Sequence, residues 1–286
     1  YRVSCLFCSS SPKRQRKKLG HQRHFRNRFQ KSQLQRRNEY DRDSTCFLML
    51  PNPFPDHISF CLLPIHSTSN QKLHPAEENY FSQLSSVSRK EHYRSGRICA
   101  GEVLSKLGAR GQPVLRDPQT REPLWPEGIS GAITHSGNWA AAAAGKTSDV
   151  SGIGIDLEDL ERQVDSRISR HVCIPEEQKW LQECGEDFLE QNLKIIFSAK
   201  ESIFKAFFPY TRTYLHFHDA RILMEQTLFQ KSKSDSLSKK EKNSKPEKFE
   251  FVYLLLNDKV ISQTGISEGK GKVHFFENYV LTSLFF

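Results

Sequence analysis

Residues 151–158 read SGIGIDLE. As an extended segment its side chains alternate with period two, so Ile153, Ile155 and Leu157 face one side and Gly152, Gly154, Asp156 and Glu158 the other. Two carboxylates held side by side repel unless a cation or hydrogen-bond donors lie between them. Two glycines on the same face leave space for a ligand to approach the backbone. The pattern predicts an apolar strand that presents a divalent-cation site with open space beside it. An edge strand whose polar face meets water satisfies this segment equally well. Oxygen-only ligands favour Mg2+ or Mn2+, and Mg2+ usually keeps waters and shares phosphate oxygens.

About 40 residues on, residues 197–207 read FSAKESIFKAF. Helical spacing gives Ile196, Ala199, Ile203 and Ala206 a core-facing stripe, with Glu201 and Lys205 as an i, i+4 pair and Lys200 about 100° round from Glu201. An exposed salt bridge of a few tenths of a kcal/mol is the simplest account. Phe197, Phe204, Phe207 and Phe208 leave little of the helix free for water, however. A third carboxylate and two ammonium groups complement the Asp156/Glu158 face, the acid completing a metal site and the lysines meeting phosphate charge. Together the two segments suggest metal-assisted phosphoryl chemistry.

Between residues 130 and 145, SGAITHSGNWAAAAAG reads as a strand ending in a Ser136-Gly137-Asn138 turn. Residues 140–144 are all alanine, which propensity assigns to a helix and Trp139 and Gly145 allow as a buried strand. His135 precedes the turn and becomes a candidate phosphate contact, although a lone histidine is more often structural. Residues 73–108 read as helical and stop at Gly108; Arg89, Lys90, Arg94 and Arg97 line that segment, with Arg89 and Arg97 on one side. GKTSDVSG (145–152) is the expected hinge between two halves. Further helices are expected over 174–184 and 190–209, the latter stopped by Pro209. Strands are expected within 46–65 (strand, turn, strand) and over 215–224, 249–256 and 271–286. The Lys/Ser-rich stretch 230–248 reads as a flexible insertion.

The 286 residues are 37% hydrophobic, with a mean hydropathy of −0.61, so part of the length is expected not to be globular. Residues 1–40 carry 12 Lys plus Arg against the single Glu39, a net +11; the whole chain is +9, which leaves residues 41–286 at −2. The pI of 9.2 therefore describes a basic tail on a near-neutral body, and nucleic-acid binding by the whole chain is not expected. The tail, residues 1–44, is expected to be disordered. It lacks the long apolar run of a secretory signal; an organelle transit peptide or a non-native extension before a different start are its other readings. Seven scattered cysteines suit free thiols in a reducing compartment, and Cys5-x-x-Cys8 lacks a second pair for zinc. No run of 18 apolar residues is present, so no membrane span is expected.

Four blocks, in order, resemble the 4′-phosphopantetheinyl transferases, nearest the enterobactin synthetase component D-like branch. They are RKEHYRSGRICAGEVLSKLG (89–108), PLWPEGISGAITHS (123–136), GIGIDLE (152–158) and FSAKESIFKAFFP (197–209). The chain departs from that branch at Gly101, where a second Arg is common, and at Ala132 and Thr134, where Ser is more usual. The resemblance implies an α/β (α+β) fold of two similar halves, 45–148 and 149–286, about a pseudo-twofold axis with the active site in the cleft between them. It implies Asp156, Glu158 and Glu201 as Mg2+ ligands, and Lys200 and Lys205 as contacts to coenzyme A phosphates, with Lys205 near the pantetheine side. It places His135 at the nucleotide phosphates, and Arg89, Arg97 and, less directly, Arg121 at the adenosine 3′-phosphate.

The implied reaction moves the 4′-phosphopantetheine arm of coenzyme A to a serine of an apo acyl, aryl or peptidyl carrier domain, for siderophore or other non-ribosomal peptide synthesis. Adenosine 3′,5′-bisphosphate leaves, and Glu201 or a metal-bound water takes the serine proton. A cytoplasmic monomer, with possible peripheral association with membrane or enzyme complexes, is the matching expectation. A Mg2+ nuclease using Asp156, Glu158 and a lysine, and a nucleic-acid or membrane-surface binder acting through the basic tail, are the alternatives from other classes.

Overall fold

The five alanines 140–144 form a strand, not a helix. In the computed structural model, which describes residues 50–224 and 248–286, they lie in the central strand of a three-stranded antiparallel sheet. The elements of the first half are β1 (Ile58–Pro64), α1 (Pro75–Gln83), α2 (Val87–Lys106), the short ribbon β2 (Leu115–Arg116) and β3 (Pro123–Leu124), β4 (Ile129–Ser136) and β5 (Trp139–Lys146). The sheet order is β1-β5-β4. Ala140, Ala142 and Ala144 pack against Cys99, Val103 and Leu104 of α2. Ala141 and Ala143 turn to the other side and join a cluster with Ile58, Phe60, Ile153, Ile155 and Leu157. A helix propensity of a few tenths of a kcal/mol per residue cannot compete with burial on both faces between two paired strands.

The second half comprises β6 (Ile153–Asp159), α3 (Ser169–Val172), α4 (Pro175–Glu183), α5 (Glu186–Thr211), β7 (Ala220–Leu223), β8 (Lys248–Leu255), α6 (Asp258–Thr264), β9 (Glu268–Phe276) and β10 (Tyr279–Phe285). Its sheet runs β6-β10-β9-β8-β7, antiparallel at every step. Each half is thus one antiparallel sheet with one long helix laid on it, α2 on the first and α5 on the second, and the fold is mixed α/β of the α+β kind.

β4 and β6 meet edge to edge, and side-chain hydroxyls join them. Thr134 Oγ1 accepts the Leu157 amide at 3.2 Å, and Ser136 Oγ accepts the Asp159 amide at 3.2 Å. The expected hinge is a turn between β5 and β6, closed by Gly152 N donating to Phe286 O at 3.2 Å. Among the described residues no helix is long and apolar enough to cross a membrane.

Several expected boundaries move. The helix of 73–108 breaks at Leu84–Ser86, where Ser86 caps α2 by accepting from the Arg89 amide. α5 passes through Pro209, ends at Thr211 and is capped by Arg212, whose φ is 54°. A proline in the last turn forfeits one hydrogen bond only, and the helix still closes through Arg212 N to Phe208 O at 2.8 Å. The strand expected over 215–224 is reduced to β7, because residues 217–219 form a 3-10 turn. Residues 271–286 fold back on themselves, β9 to β10, at Glu277-Asn278, with Glu277 at φ 48°. The basic tail lies outside the described residues, as does the first strand expected within 46–65. So does the insertion expected at 230–248, except that Lys248 already belongs to β8.

Candidate active site

The space expected beside the glycines of β6 is filled by α5. A Cβ on Gly154 would overlap the carbonyl oxygen of Ser202, and one on Gly152 would stand 2.6 Å from that of Ala206. The glycines therefore serve the helix: they let its backbone lie on the strand, so that side chains one turn apart on α5 reach the carboxylates of β6. On the opposite face Ile153, Ile155 and Leu157 are buried as the alternation requires. Ser198 and Ser202 fix α5 further by sharing the Thr282 hydroxyl of β10 at 2.8 and 2.7 Å. Gly154→Ala is expected to push α5 off the sheet and to cost about 1–3 kcal/mol or more, read as a lower urea midpoint. An unchanged midpoint would show that the close approach is not required.

Where the two elements touch, charge collects. Asp156 is 5% exposed; its Oδ1 accepts from Lys205 Nζ at 2.7 Å and from Thr134 Oγ1 at 3.2 Å. Lys205 also donates to the Ile155 carbonyl at 3.2 Å. Among the described residues Asp156 Oδ2 is buried without a hydrogen-bond partner. Burial pushes Glu201 up to about 7, and the Asp156 charge adds to the shift against Lys205. Glu158 is raised well above the carboxylate range, first by burial and then by Asp156. Among the described residues no three acidic, histidine or cysteine side chains already converge at ligating distance, and the ammonium of Lys205 holds one of the oxygens. What is present is an all-oxygen donor set in which Asp156 disfavours the ionisation of Glu158 and Glu201, and one of whose oxygens is orphaned among the described residues. That chemistry fits a hard divalent cation.

His135, at the end of β4, stacks on His92 of α2 with ring centroids 4.5 Å apart and planes 10° apart. His135 is exposed, with protein packed against one side of the ring. Desolvation by that protein, followed by the charges of His92 and Lys205, depresses its pKa well below the imidazole range. His92 is anchored by its Nε2 to the Gly137 carbonyl at 3.3 Å. Beside Lys205 lies an apolar recess lined by Pro123, Ile133, Phe204, Phe208 and Pro209.

The remaining sequence candidates distribute unevenly. Arg97 is buried, stacked over Tyr93 at 4.6 Å and donating to the Leu115 carbonyl at 3.1 Å, with its Nε unpartnered among the described residues. Arg89 is exposed on the first turn of α2, and Arg121 is exposed in the loop before β3 at φ 67°. α2 continues unbroken through Gly101. Lys200 departs from expectation. It points away from the carboxylates into a buried ion pair with Glu177 at 2.6 Å and donates to the Val172 carbonyl at 2.9 Å. Both side chains are almost inaccessible, 1% and 2%, so its place is structural and it offers no phosphate contact.

Sequence reasoning missed His92, Thr134 and Glu177. Thr134 was within reach of it: Ala132, Thr134 and Ser136 alternate along β4 as Gly154, Asp156 and Glu158 do along β6. The contacts of His92 and Glu177 depend on elements 43 and 23 residues away, and nothing in their local sequence announces them.

An α+β pair of sheet-and-helix halves with an acid-and-lysine cluster between β6 and α5 describes the class, and the family follows from comparison. Residues 76–145 match the family model described as the 4′-phosphopantetheinyl transferase N-terminal domain, and residues 152–261 match that of the 4′-phosphopantetheinyl transferase superfamily. The chain belongs to the 4′-phosphopantetheinyl transferase superfamily. It is similar to 4′-phosphopantetheinyl transferase Svp of Streptomyces mobaraensis, 32% identical over 139 residues, 48% of this chain and 55% of the relative. It is similar also to 4′-phosphopantetheinyl transferase Npt of Nocardia iowensis, 33% identical over 155 residues, 54% of this chain and 67% of the relative. Enterobactin synthase component D of Escherichia coli (strain K12) is 33% identical over 130 residues, 44% of this chain and 60% of the relative. The chain thus spans little more than half the length of Svp and three fifths of the enterobactin component.

Proposed function

We propose that the chain transfers the 4′-phosphopantetheine arm of coenzyme A to a serine hydroxyl of an apo carrier domain, with release of adenosine 3′,5′-bisphosphate. One observation carries this reading: Asp156 and Glu158 of β6 and Glu201 and Lys205 of α5 cluster where strand and helix touch, in a chain of this superfamily. The carrier would be an acyl, aryl or peptidyl carrier domain of siderophore or other non-ribosomal peptide synthesis, and the protein a cytoplasmic monomer built from halves 45–148 and 149–286.

Mg2+ is the cofactor proposed, held by Asp156, Glu158 and Glu201; when bound, it supplies charge neutralisation at the pyrophosphate as the bond to the leaving nucleotide breaks. Lys205, fixed by Asp156 and the Ile155 carbonyl, presents its ammonium to phosphate oxygens beside the apolar recess. His135, uncharged at neutral pH, donates one hydrogen bond to the nucleotide phosphates and is held flat by His92. Arg97, pre-oriented by Tyr93 and the Leu115 carbonyl, meets the adenosine 3′-phosphate together with Arg89, and Arg121 is the outlying candidate for that group. Glu201 takes the proton of the attacking serine.

The test is direct. The protein is incubated with coenzyme A, Mg2+ and several apo carrier domains, and each carrier is weighed by mass spectrometry. A carrier heavier by one phosphopantetheine arm, only when Mg2+ is present, is expected. No adduct on any acyl, aryl or peptidyl carrier would overturn the reading.

A further inference from the structure

Away from that cluster, on the other face of the first sheet, two thiols meet. Cys61 lies on β1 directly opposite Ala142 of β5, and Cys99 projects from α2 with its Sγ donating to the Ala140 carbonyl at 3.3 Å. Ala140 and Ala142 are two apart on one strand and so share a face; they belong to one cluster with Cys99, against which Cys61 packs. Alanine at both positions keeps this layer thin, and the two thiols pack in the same cluster and interact without being bonded. Their exposure differs. Cys99 is sealed at 0%, whereas Cys61 is partly exposed at the sheet margin.

We propose that Cys61 and Cys99 are a peroxide-sensitive thiol pair that closes to a reversible disulfide between β1 and α2. Cys61 is the thiol that reacts first. It alone of the two reaches the surface, and the Cys99 thiol, then the ammonium of Lys106, lower its pKa against burial and the charge of Glu102; Lys106 itself is anchored to the Phe60 carbonyl at 3.3 Å. Cys173 is the contrasting case, pushed up to about 12 by burial, and a thiol so held reacts slowly.

The chemistry balances with hydrogen peroxide as oxidant. The Cys61 thiolate attacks one peroxide oxygen, the O–O bond breaks, and Cys61 becomes a sulfenic acid while hydroxide leaves and takes up the thiol's proton as water. The Cys99 thiol then attacks the Cys61 sulfur, and the S–O bond breaks with loss of a second water. Two thiols are oxidised by two electrons, one peroxide is reduced to two waters, and a dithiol reverses the bond by exchange. The crosslink would tie to β1 the helix that carries His92 and Arg97. It does not depend on the transferase reading.

The full chain is treated with hydrogen peroxide, denatured, alkylated and mapped by non-reducing peptide mass spectrometry. A linked Cys61–Cys99 peptide, lighter by two hydrogens than its separate halves and lost on treatment with dithiothreitol, is expected. Cys99→Ala should halt the reaction at a Cys61 sulfenic acid that dimedone traps. Cys61 and Cys99 alkylated as fully as in untreated protein, or Cys61 overoxidised while Cys99 stays a free thiol, would overturn the proposal. The wild-type map alone decides it if the variant fails to fold.

Discussion

Glu201→Gln is expected to lower the rate of carrier modification on the order of 100- to 10,000-fold, the usual worth of a positioned acid–base group, while the protein stays folded. The substitution keeps the shape of the side chain and removes the capacity to take a proton. The same variant should be more stable than the parent at high pH when metal is removed with a chelator. In the folded chain Glu201 titrates at about 7, above its unfolded value, so the unfolded state binds fewer protons between roughly pH 4.5 and 7. Stability contributed by this group is complete below that window and is lost as pH rises through it, by up to about 3 kcal/mol. Chelated wild type should therefore lose stability from pH 5 to 8, and Glu201→Gln should lose less. Added Mg2+ should restore the parent at pH 8 and leave the variant nearly unmoved. Equal turnover by variant and parent would remove Glu201 from the chemistry, and identical pH curves would remove it from the charge cluster.

Lys200→Met is expected to cost about 3–5 kcal/mol of stability, because it strands a buried carboxylate. Glu177 would keep its bonds from the Ile174 and Ile222 amides at 2.9 and 2.7 Å but lose the cation paired with it. Those contacts join α4, β7 and α5, so the effect should appear as a lower urea midpoint. Exchanging both partners, Lys200→Met with Glu177→Gln, should recover part of the loss, since no unpaired charge then remains. A lysine that bound coenzyme A phosphates would behave differently, with a raised KM and an unmoved midpoint. That result would overturn the structural assignment.

Some of the site was legible from short stretches of sequence. The alternation in SGIGIDLE assigns Asp156 and Glu158 to one face of a strand, and helical spacing places Glu201 and Lys205 together one turn apart. Both follow from backbone geometry, which is the same in any fold. The purpose of Gly152 and Gly154 was not legible: the room they leave could admit a ligand or a helix, and only the packed chain shows that α5 takes it. The fate of Lys200 was equally hidden. One residue from Glu201 and about 100° round the helix, it could face phosphate or protein, and the decision belongs to Glu177, 23 residues earlier in sequence.

Sequence alone determined which residues carry charge, where strand and helix periodicities begin, and that a third acid and a lysine accompany the paired carboxylates of β6. The tertiary structure decided the alanine run, the partners of each lysine and the apposition of β4 and β6. Local patterns record the geometry of one element. Burial on both faces of β5, the pairing of charges across α4 and α5, and the hydroxyl contacts of Thr134 and Ser136 are relations between distant elements, and they gain their energy only once water has been excluded between them.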